Sequence, residues 1–296
     1  MRIFGSKWLW FAVFAAVWTA AGYVLFAGGS TGRDTALVRA PERIVAAAPA
    51  LTEILYALGL GERVVGVTTY SNYPPEAKDK RVIGTFWQPD IEAVVATRPD
   101  LVVTEAFDQQ AHLAERLRRL GYCTLSVDVW SVAQLYEAIE RIGAVTGKGA
   151  EAAALLARVQ GNICHVSAQA KGERPKVLYV IQTDPLRVAG RQTFIDELIE
   201  LAGGQNAMGP TVQKYPPIGA EQVIGSRPDV IIAPEMAGVQ PEALKQYFAR
   251  YQSVPAVANG RVYVIAGDTV SRLGPRIDEA VQTIAACLRL EAPGSD

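Results

Sequence analysis

The sequence has few of the residues that usually build metal sites or disulfide frameworks. Its three cysteines are Cys123, Cys164 and Cys287, and its two histidines are His112 and His165. Neither set forms a cluster with metal-ligand spacing, and three widely separated cysteines leave at least one thiol unpaired within the chain. We therefore expect no protein-ligated metal, no resident cofactor and no disulfide scaffold.

The sequence also lacks an excess of charge of either sign. Lys and Arg total 29 against 30 Asp and Glu, which gives a formal net charge of -1, so no overall field attracts nucleic acid. An H-E-x-x-H motif is absent, and neither histidine has an evident partner for a catalytic triad. We expect no catalytic residues and no nucleic-acid partner, and an exported enzyme is kept as the alternative from a different functional class.

An apolar segment near the N-terminus predicts export. Arg2 and Lys7 precede an almost uninterrupted apolar run over residues 8–27, and the polar stretch GGSTGRDT follows it. As a helix this run would reach roughly 30 Å, the thickness of a bilayer core, and the positive charges ahead of it place the N-terminus in the cytoplasm. Residues 1–31 are therefore expected to be a signal peptide or a membrane anchor, and the rest of the chain to lie in the periplasm or at the outer face of the cytoplasmic membrane. No cysteine lies near the end of the run, so we expect no lipid-modified cysteine.

One sequence unit occurs twice, 129 residues apart. Residues 92–103 read EAVVATRPDLVV, and residues 221–232 read EQVIGSRPDVII. In each copy an apolar pair at helical spacing precedes Arg-Pro-Asp, and a run of aliphatic residues follows it. Because proline disfavours helical backbone at the residue before it, each unit predicts a helix that ends at Arg-Pro and then a buried parallel strand.

Helical and strand patterns alternate on both sides of residues 131–172. Strand-like runs at 43–47, 64–67 and 124–129 are matched later by VLYVI at 177–181 and VYVIA at 262–266. The alternation predicts an α/β fold of two lobes, each a mainly parallel sheet flanked by helices. We expect the lobes at 41–130 and 173–290, joined by one long helix over 131–172 and separated by a ligand cleft. Ser131 and Gln134 predict a capping box at the start of this helix, and TGKG at 146–149 predicts a break or kink in it.

Three segments carry a resemblance to a known family. TTYSNYPPEA at 68–77, GTFWQPDIEAVVATRPDLVV at 84–103 and GDTVSRLGPRI at 267–277 resemble the periplasmic cobalamin-binding proteins of ABC importers, over about residues 41–290. The wider family includes siderophore and haem receptors and shares two α/β lobes bridged by one long helix. The resemblance therefore implies an extracytoplasmic solute-binding protein that delivers cobalamin or a related corrinoid to a permease. A ferric siderophore or haem is the alternative ligand, and an anchored sensor that docks no permease is a further alternative.

The resemblance also implies which side chains meet the ligand. The first lobe supplies Pro49, Tyr70, Phe86 and Trp87, and the second lobe supplies Tyr215, Asp268 and Arg272. A corrin is a large disc with apolar faces and an amide-fringed edge, so it suits aromatic walls with a few fixed donors and acceptors. The sequence departs from the family at Glu105, where the resemblance places another aromatic side chain, and at Thr269 and Val270, which replace bulky aromatic ones.

The repeated unit places one glutamate in each lobe at an equivalent position. Glu92 and Glu221 each begin a helix that precedes Arg-Pro-Asp, where a carboxylate also stabilises the helix dipole. The resemblance implies that such a pair docks the protein, as a monomer, on the two permease subunits of an importer that also carries ATPase subunits. Charges at the rim of an interface govern the rate and register of association more than its affinity.

Overall fold

The computed structural model describes residues 39–170, 172–235 and 241–289. Arg2, Lys7 and the apolar run at 8–27, on which the prediction of export depends, lie outside the described residues. Among the helices that are described, none combines the length and the apolar character needed to cross a bilayer.

Five parallel strands form the sheet of the first lobe, in the order β3-β2-β1-β4-β5. The strands are β1 (Ile44–Ala46), β2 (Val64–Val67), β3 (Arg81–Val82), β4 (Leu101–Glu105) and β5 (Thr124–Val127). The helices that connect them are α1 (Pro49–Ala57), α2 (Ile91–Ala96) and α3 (Asp108–Arg119), with short 3-10 segments at Gly61–Arg63 and Pro75–Asp79. All five strands fall within the range predicted for the first lobe.

The second lobe repeats this plan around β6 (Lys176–Thr183). β9 (Val230–Pro234) and β8 (Gln205–Asn206) pair with it in parallel, β10 (Val262–Ile265) pairs in parallel with β9, and β7 (Leu186–Val188) pairs with β6 in the antiparallel direction. The helices are α6 (Phe194–Leu201), α7 (Ala220–Ser226), α8 (Pro241–Phe248), α9 (Pro255–Ala258), α10 (Gly267–Val270) and α11 (Ile277–Arg289). The predicted fold class, two lobes with mainly parallel sheets and flanking helices, is confirmed.

The connection between the sheets consists of two helices rather than one continuous helix. α4 (Val132–Thr146) ends at Gly147, which has a left-handed φ of +72°, and α5 (Gly149–Gln169) begins two residues later, so the predicted break at TGKG is observed. The capping box forms only in part. The Ser131 hydroxyl accepts from the Gln134 backbone N–H at 3.2 Å, whereas the Gln134 side chain accepts from the N–H of Trp130 rather than of Ser131.

The largest hydrophobic core contains side chains from both sheets and from α4, α5 and α11. Alternate strand residues divide between this core and a smaller one on the opposite face of each sheet: Ile44 and Val177 belong to the large core, whereas Val45 and Leu178 belong to the smaller ones. A strand that buries both faces must be apolar at successive positions, which explains the continuous aliphatic runs in the sequence.

The two copies of the repeated unit have the same local structure. In each copy a helix is followed by an arginine in left-handed backbone, Arg98 at φ +49° and Arg227 at φ +44°, and the aspartate two residues later binds the start of the central strand. Asp100 accepts from the Arg43 backbone N–H just before β1, and Asp229 accepts from the Lys176 backbone N–H at the start of β6, both at 2.8 Å. The predicted helix and strand of each copy are confirmed. Each aspartate precedes one strand, β4 or β9, and binds the start of the neighbouring strand, β1 or β6.

Candidate functional site

A cavity of about 330 Å³ lies between the lobes. Its size is at the lower end of the range for small-molecule sites. Both lobes line it. The first lobe contributes Pro49, Ala50, Tyr70, Phe86, Trp87, Glu105, Val129 and Trp130, and the second contributes Thr193, Phe194, Lys214, Tyr215, Ser271, Arg272 and Leu273.

The topology of the first sheet explains why its side chains meet at this cavity. The first-lobe lining residues lie at or just beyond the carboxyl ends of the strands: Pro49 follows β1, Tyr70 follows β2, Trp87 follows β3, Glu105 ends β4 and Trp130 follows β5. Parallel strands bring these ends to one edge of the sheet, where open α/β sheets bind their ligands. Residues up to 81 positions apart in the chain therefore share one wall.

A tight turn presents the first pair of rings. Gly84 and Pro89 form a bridge at the base of the turn, and the Gln88 backbone N–H donates to the Thr85 hydroxyl at 2.9 Å. Gly84 has a φ of +100°, which favours glycine, and an added Cβ would lie 2.6 Å from the Gln88 carbonyl oxygen. The turn therefore needs glycine at this position to hold Phe86 and Trp87 at its tip.

Four aromatic rings form a continuous surface beside the cavity. The Phe86 centroid lies 4.8 Å from that of Trp87 and 5.0 Å from that of Phe107, and Phe107 lies 6.4 Å from Trp130, largely in edge-to-face geometry. Trp87 is 60% exposed and Trp130 is 48% exposed. Exposed aromatic rings at this density favour a ligand with a flat apolar face.

A buried glutamine connects this aromatic surface to the sheet. The Gln110 amide nitrogen donates to the carbonyl oxygens of Ala47, at 2.6 Å, and Phe86, at 3.0 Å, while its oxygen accepts from the Glu105 backbone N–H at 2.7 Å. One side chain thus fixes the end of β1, the aromatic turn and the end of β4 relative to one another. The rings are held in place before a ligand arrives.

The second-lobe wall is more polar. Tyr215 is half-buried, and burial raises the pKa of its phenol above the usual range, so the group is protonated at neutral pH. Its carbonyl oxygen accepts from Arg187 at 3.0 Å, which fixes the backbone beside the cavity. Lys214 is exposed next to it. This wall can supply a hydroxyl donor and a cation to the ligand's edge.

Arg272 joins the lobes at one side of the cavity. Its guanidinium donates to Asn72 Oδ1 at 2.6 Å, to the Tyr70 carbonyl at 3.1 Å and to Asp268 at 3.0 Å, and it lies 3.4 Å from Glu53 Oε1. Asp268 accepts from Asn72 Nδ2 at 2.9 Å and is not among the residues that line the cavity. Of the two predicted polar contacts, the structure therefore brings Arg272 to the cavity and places Asp268 in the contact between the lobes.

Glu53 is at the centre of this contact. It lies on α1 with its side chain 2% exposed, and its two oxygens accept from Arg276 Nε at 2.9 Å and Nη2 at 2.8 Å. The Arg276 guanidinium also lies 3.7 Å from the centre of the Tyr73 ring. We call Glu53, Arg272 and Arg276 the inter-lobe cluster, because its carboxylate belongs to one lobe and its cations to the other.

The two glutamates of the repeat lie where the sequence predicts them. Glu92 is in the first turn of α2 and Glu221 is in the first turn of α7, and both are exposed. Asp90 caps α2, with its carboxylate accepting from the Glu92 and Ala93 backbone N–H groups, so Glu92 itself makes no cap.

Several cavity residues are absent from the sequence-based set. Trp130, Phe194 and Lys214 line the cavity, and Glu53 holds the lobes together, whereas Glu105 lines it at the position where the resemblance places an aromatic side chain. Position offered a signal for two of them, since Trp130 comes just after a predicted strand and Lys214 precedes a predicted contact residue. The six predicted contacts other than Asp268 all line the cavity, and their role in binding stays a prediction.

Comparison with known proteins agrees with this geometry. An ABC transporter substrate-binding lipoprotein from Bacillus subtilis is 30% identical over 264 residues, covering 86% of this chain and 82% of that one. The structure of a vitamin B12-binding protein from Vibrio cholerae is 25% identical with a TM-score of 0.71, covering 84% and 97% of the two chains. A haem-binding protein from Roseiflexus is 27% identical with a TM-score of 0.74, covering 83% and 97%.

The family model described as "Periplasmic binding protein" matches residues 44–269, which include strands of both sheets and all of the cavity lining except Ser271, Arg272 and Leu273. By their names, the Bacillus subtilis relative is a substrate-binding protein of an ABC transporter and the Vibrio cholerae relative is a periplasmic binding protein, and neither is named as an enzyme. With the two-lobed fold, the cavity between the lobes and this match, the chain belongs to the periplasmic binding protein family.

Proposed function

We propose that the chain binds cobalamin or a related corrinoid outside the cytoplasm and delivers it to the permease of an ABC importer. The observation that carries the proposal is the aromatic surface beside a cavity that both lobes line. A corrin combines flat apolar faces with an amide-fringed edge, which suits stacking rings and a few polar groups. The relative from Vibrio cholerae named as a vitamin B12-binding protein supports the same ligand class.

Calorimetric titration tests the ligand. The full chain in a non-ionic detergent is titrated with cyanocobalamin, together with Trp87→Ala and, as a control, Leu120→Ala, whose side chain is exposed and lies outside the cavity lining. We expect Trp87→Ala to raise Kd about tenfold, equivalent to about 1.4 kcal/mol, and Leu120→Ala to have no effect. If Trp87→Ala binds cyanocobalamin as tightly as wild type, the aromatic turn is not part of the binding site.

A haem or a ferric siderophore is the second candidate ligand. Tyr70 and Tyr215 place phenol groups at the cavity, and a tyrosine oxygen can ligate ferric iron. The relative from Roseiflexus named as a haem-binding protein supports this reading. Titration with haem and with a ferric siderophore under the same conditions separates the candidates, because the proposal requires cobalamin to bind more tightly than either.

Delivery would depend on Glu92 and Glu221. One exposed carboxylate per lobe, at equivalent places in a repeated unit, matches a permease built from two subunits and coupled to ATPase subunits. The double variant Glu92→Lys with Glu221→Lys should abolish import of the ligand in cells and leave its Kd unchanged. Glu115→Lys, on an exposed face of α3, is the matched control. Normal import by the double variant would show that Glu92 and Glu221 do not dock the permease.

The N-terminal segment would place this function outside the cytoplasm. Arg2, Lys7 and the apolar run at 8–27 suit either a cleaved signal or an anchor. Mass spectrometry of the mature chain after cell fractionation distinguishes the two outcomes. A full-length mass in the membrane fraction identifies an anchor, and a shortened soluble chain identifies a signal peptide.

A further inference from the structure

A carboxyl group of the cavity has no partner in the part of the chain that the structure describes. Glu105 ends β4 and is 8% exposed. Its backbone N–H donates to Gln110, whereas its carboxyl has no hydrogen-bond or ion-pair partner among the residues that the structure describes. A carboxylate that a bound ligand shields from water without giving it a partner is costly, so the ligand of this cavity is expected to satisfy it with a donor group.

The surroundings of Glu105 supply no counter-charge to its carboxylate. Burial, and to a smaller extent the negative charge of Asp128, raise the pKa of Glu105 to about 7. The two cations of the cavity lining belong to the opposite lobe, where Arg272 is engaged by Glu53 and Lys214 is exposed. The first-lobe side of the cavity lining therefore combines aromatic and aliphatic side chains with the single carboxyl of Glu105 and has no cation, a setting that disfavours a second anion.

We propose that Glu105 determines the charge class of the ligand. Its carboxyl accepts a hydrogen bond from an N–H donor at the ligand's edge, such as a primary amide, and it excludes chelates whose edge presents carboxylate or phenolate oxygens. The inference rests on the proposed function, since it concerns the ligand of the same cavity. An amide-fringed corrinoid satisfies the carboxyl, whereas a haem or a ferric tricatecholate sets like charges against it.

Two variants and two probes test this assignment. Wild type, Glu105→Gln and Glu105→Leu, as full chains in a non-ionic detergent, are titrated with cyanocobalamin and with a ferric tricatecholate. We expect wild type to prefer cobalamin and Glu105→Leu to lose about tenfold in cobalamin affinity, the size of one charge-assisted hydrogen bond. Both variants should gain about tenfold in affinity for the tricatecholate, because the like charge is removed. Glu115→Gln changes the net charge equally on an exposed face and should bind both probes as wild type does.

The outcomes separate this inference from the proposed function. Suppose that wild type binds cobalamin. If Glu105→Leu then binds cobalamin as tightly as wild type, or Glu105→Gln gains no affinity for the tricatecholate, the inference about Glu105 is wrong and the proposed function stands. If wild type binds the tricatecholate more tightly than cobalamin, both the inference and the choice of a corrinoid as ligand are wrong, but the assignment as a transport protein stands. Binding of neither probe overturns both. If Glu105→Leu fails to fold, the near-isosteric Glu105→Gln decides through its tricatecholate affinity.

Discussion

Replacing Glu53 by alanine is expected to destabilise the contact between the lobes. In the inter-lobe cluster the Glu53 carboxylate makes two short bonds to the Arg276 guanidinium, at 2.8 and 2.9 Å, in the bidentate geometry of strong arginine–carboxylate pairs. Arg272 approaches the same oxygen at 3.4 Å. Without the carboxylate, two guanidinium groups face each other with no charge between them.

The size of the effect follows from burial. The Glu53 side chain is 2% exposed, and those of Arg272 and Arg276 are 15% and 14% exposed. Removal of one partner from a buried pair costs about 3–5 kcal/mol, and the partial exposure of the arginines favours the lower end, about 3 kcal/mol. For a chain of this size the loss lowers Tm by roughly 6–12 °C.

Urea unfolding and thermal melts of Glu53→Ala measure this loss, and a double-mutant cycle with Arg276→Ala isolates the pair. We expect a coupling energy of about 2 kcal/mol, within the range for residues in direct contact. Glu115→Ala is the control, because its pair with Arg119 is exposed at 3.4 Å and should change stability by less than about 1 kcal/mol. Equal effects of Glu53→Ala and Glu115→Ala, or a coupling energy near zero, would refute the reasoning.

Two further predictions concern the cavity. Gly84→Ala should cost about 1–3 kcal/mol of stability and weaken cobalamin binding, since the left-handed turn and the close Gln88 carbonyl oxygen both resist a Cβ; unchanged affinity in calorimetry would show that the turn does not position the rings. The pKa of Glu105 is raised from 4.5 to about 7, so between these pH values the folded protein binds more protons than the unfolded chain. The free energy of unfolding of wild type should therefore fall by about 3 kcal/mol as the pH rises from 4.5 to 7. Glu105→Gln should lack that loss in urea unfolding at about pH 5 and pH 8, and parallel pH profiles would contradict the assigned cause.

Local sequence patterns were sufficient to predict most of the fold. The repeated Arg-Pro-Asp unit fixed two helices and two strands, because proline and the aliphatic runs act within a few residues of their own position. The connection was predicted as one helix with a break, and the left-handed Gly147 divides it into two helices. Pairing between distant strands, such as β6 with β9, was accessible only through the general rule that alternating α and β patterns build parallel sheets.

The site was predictable only where chain position implies location. Tyr70, Trp87 and Tyr215 were identified through a resemblance and through aromatic character, and the strand ends of the first sheet account for Tyr70 and Trp87 lying in one wall of the cavity. Glu53 carries no such signal, since it interrupts an apolar helical face and its partner Arg276 is 223 residues away. A side chain whose role depends on a contact across the whole chain cannot be assigned from its neighbours in sequence.

Arg272 shows how the contact between the lobes constrains the ligand. A guanidinium has five N–H groups, and the two Nη groups of Arg272 donate to Glu53, Asn72, Asp268 and the Tyr70 carbonyl. With respect to the described residues, only Nε–H is left for a ligand. A ligand that also accepted from the Nη groups would therefore break hydrogen bonds between the lobes. Such a ligand would favour separated lobes, because its binding and the inter-lobe bonds would compete for the same donors. A ligand stacked on the first-lobe rings leaves those bonds intact, and the geometry thus favours binding through the rings, with Arg272 positioning the lobes.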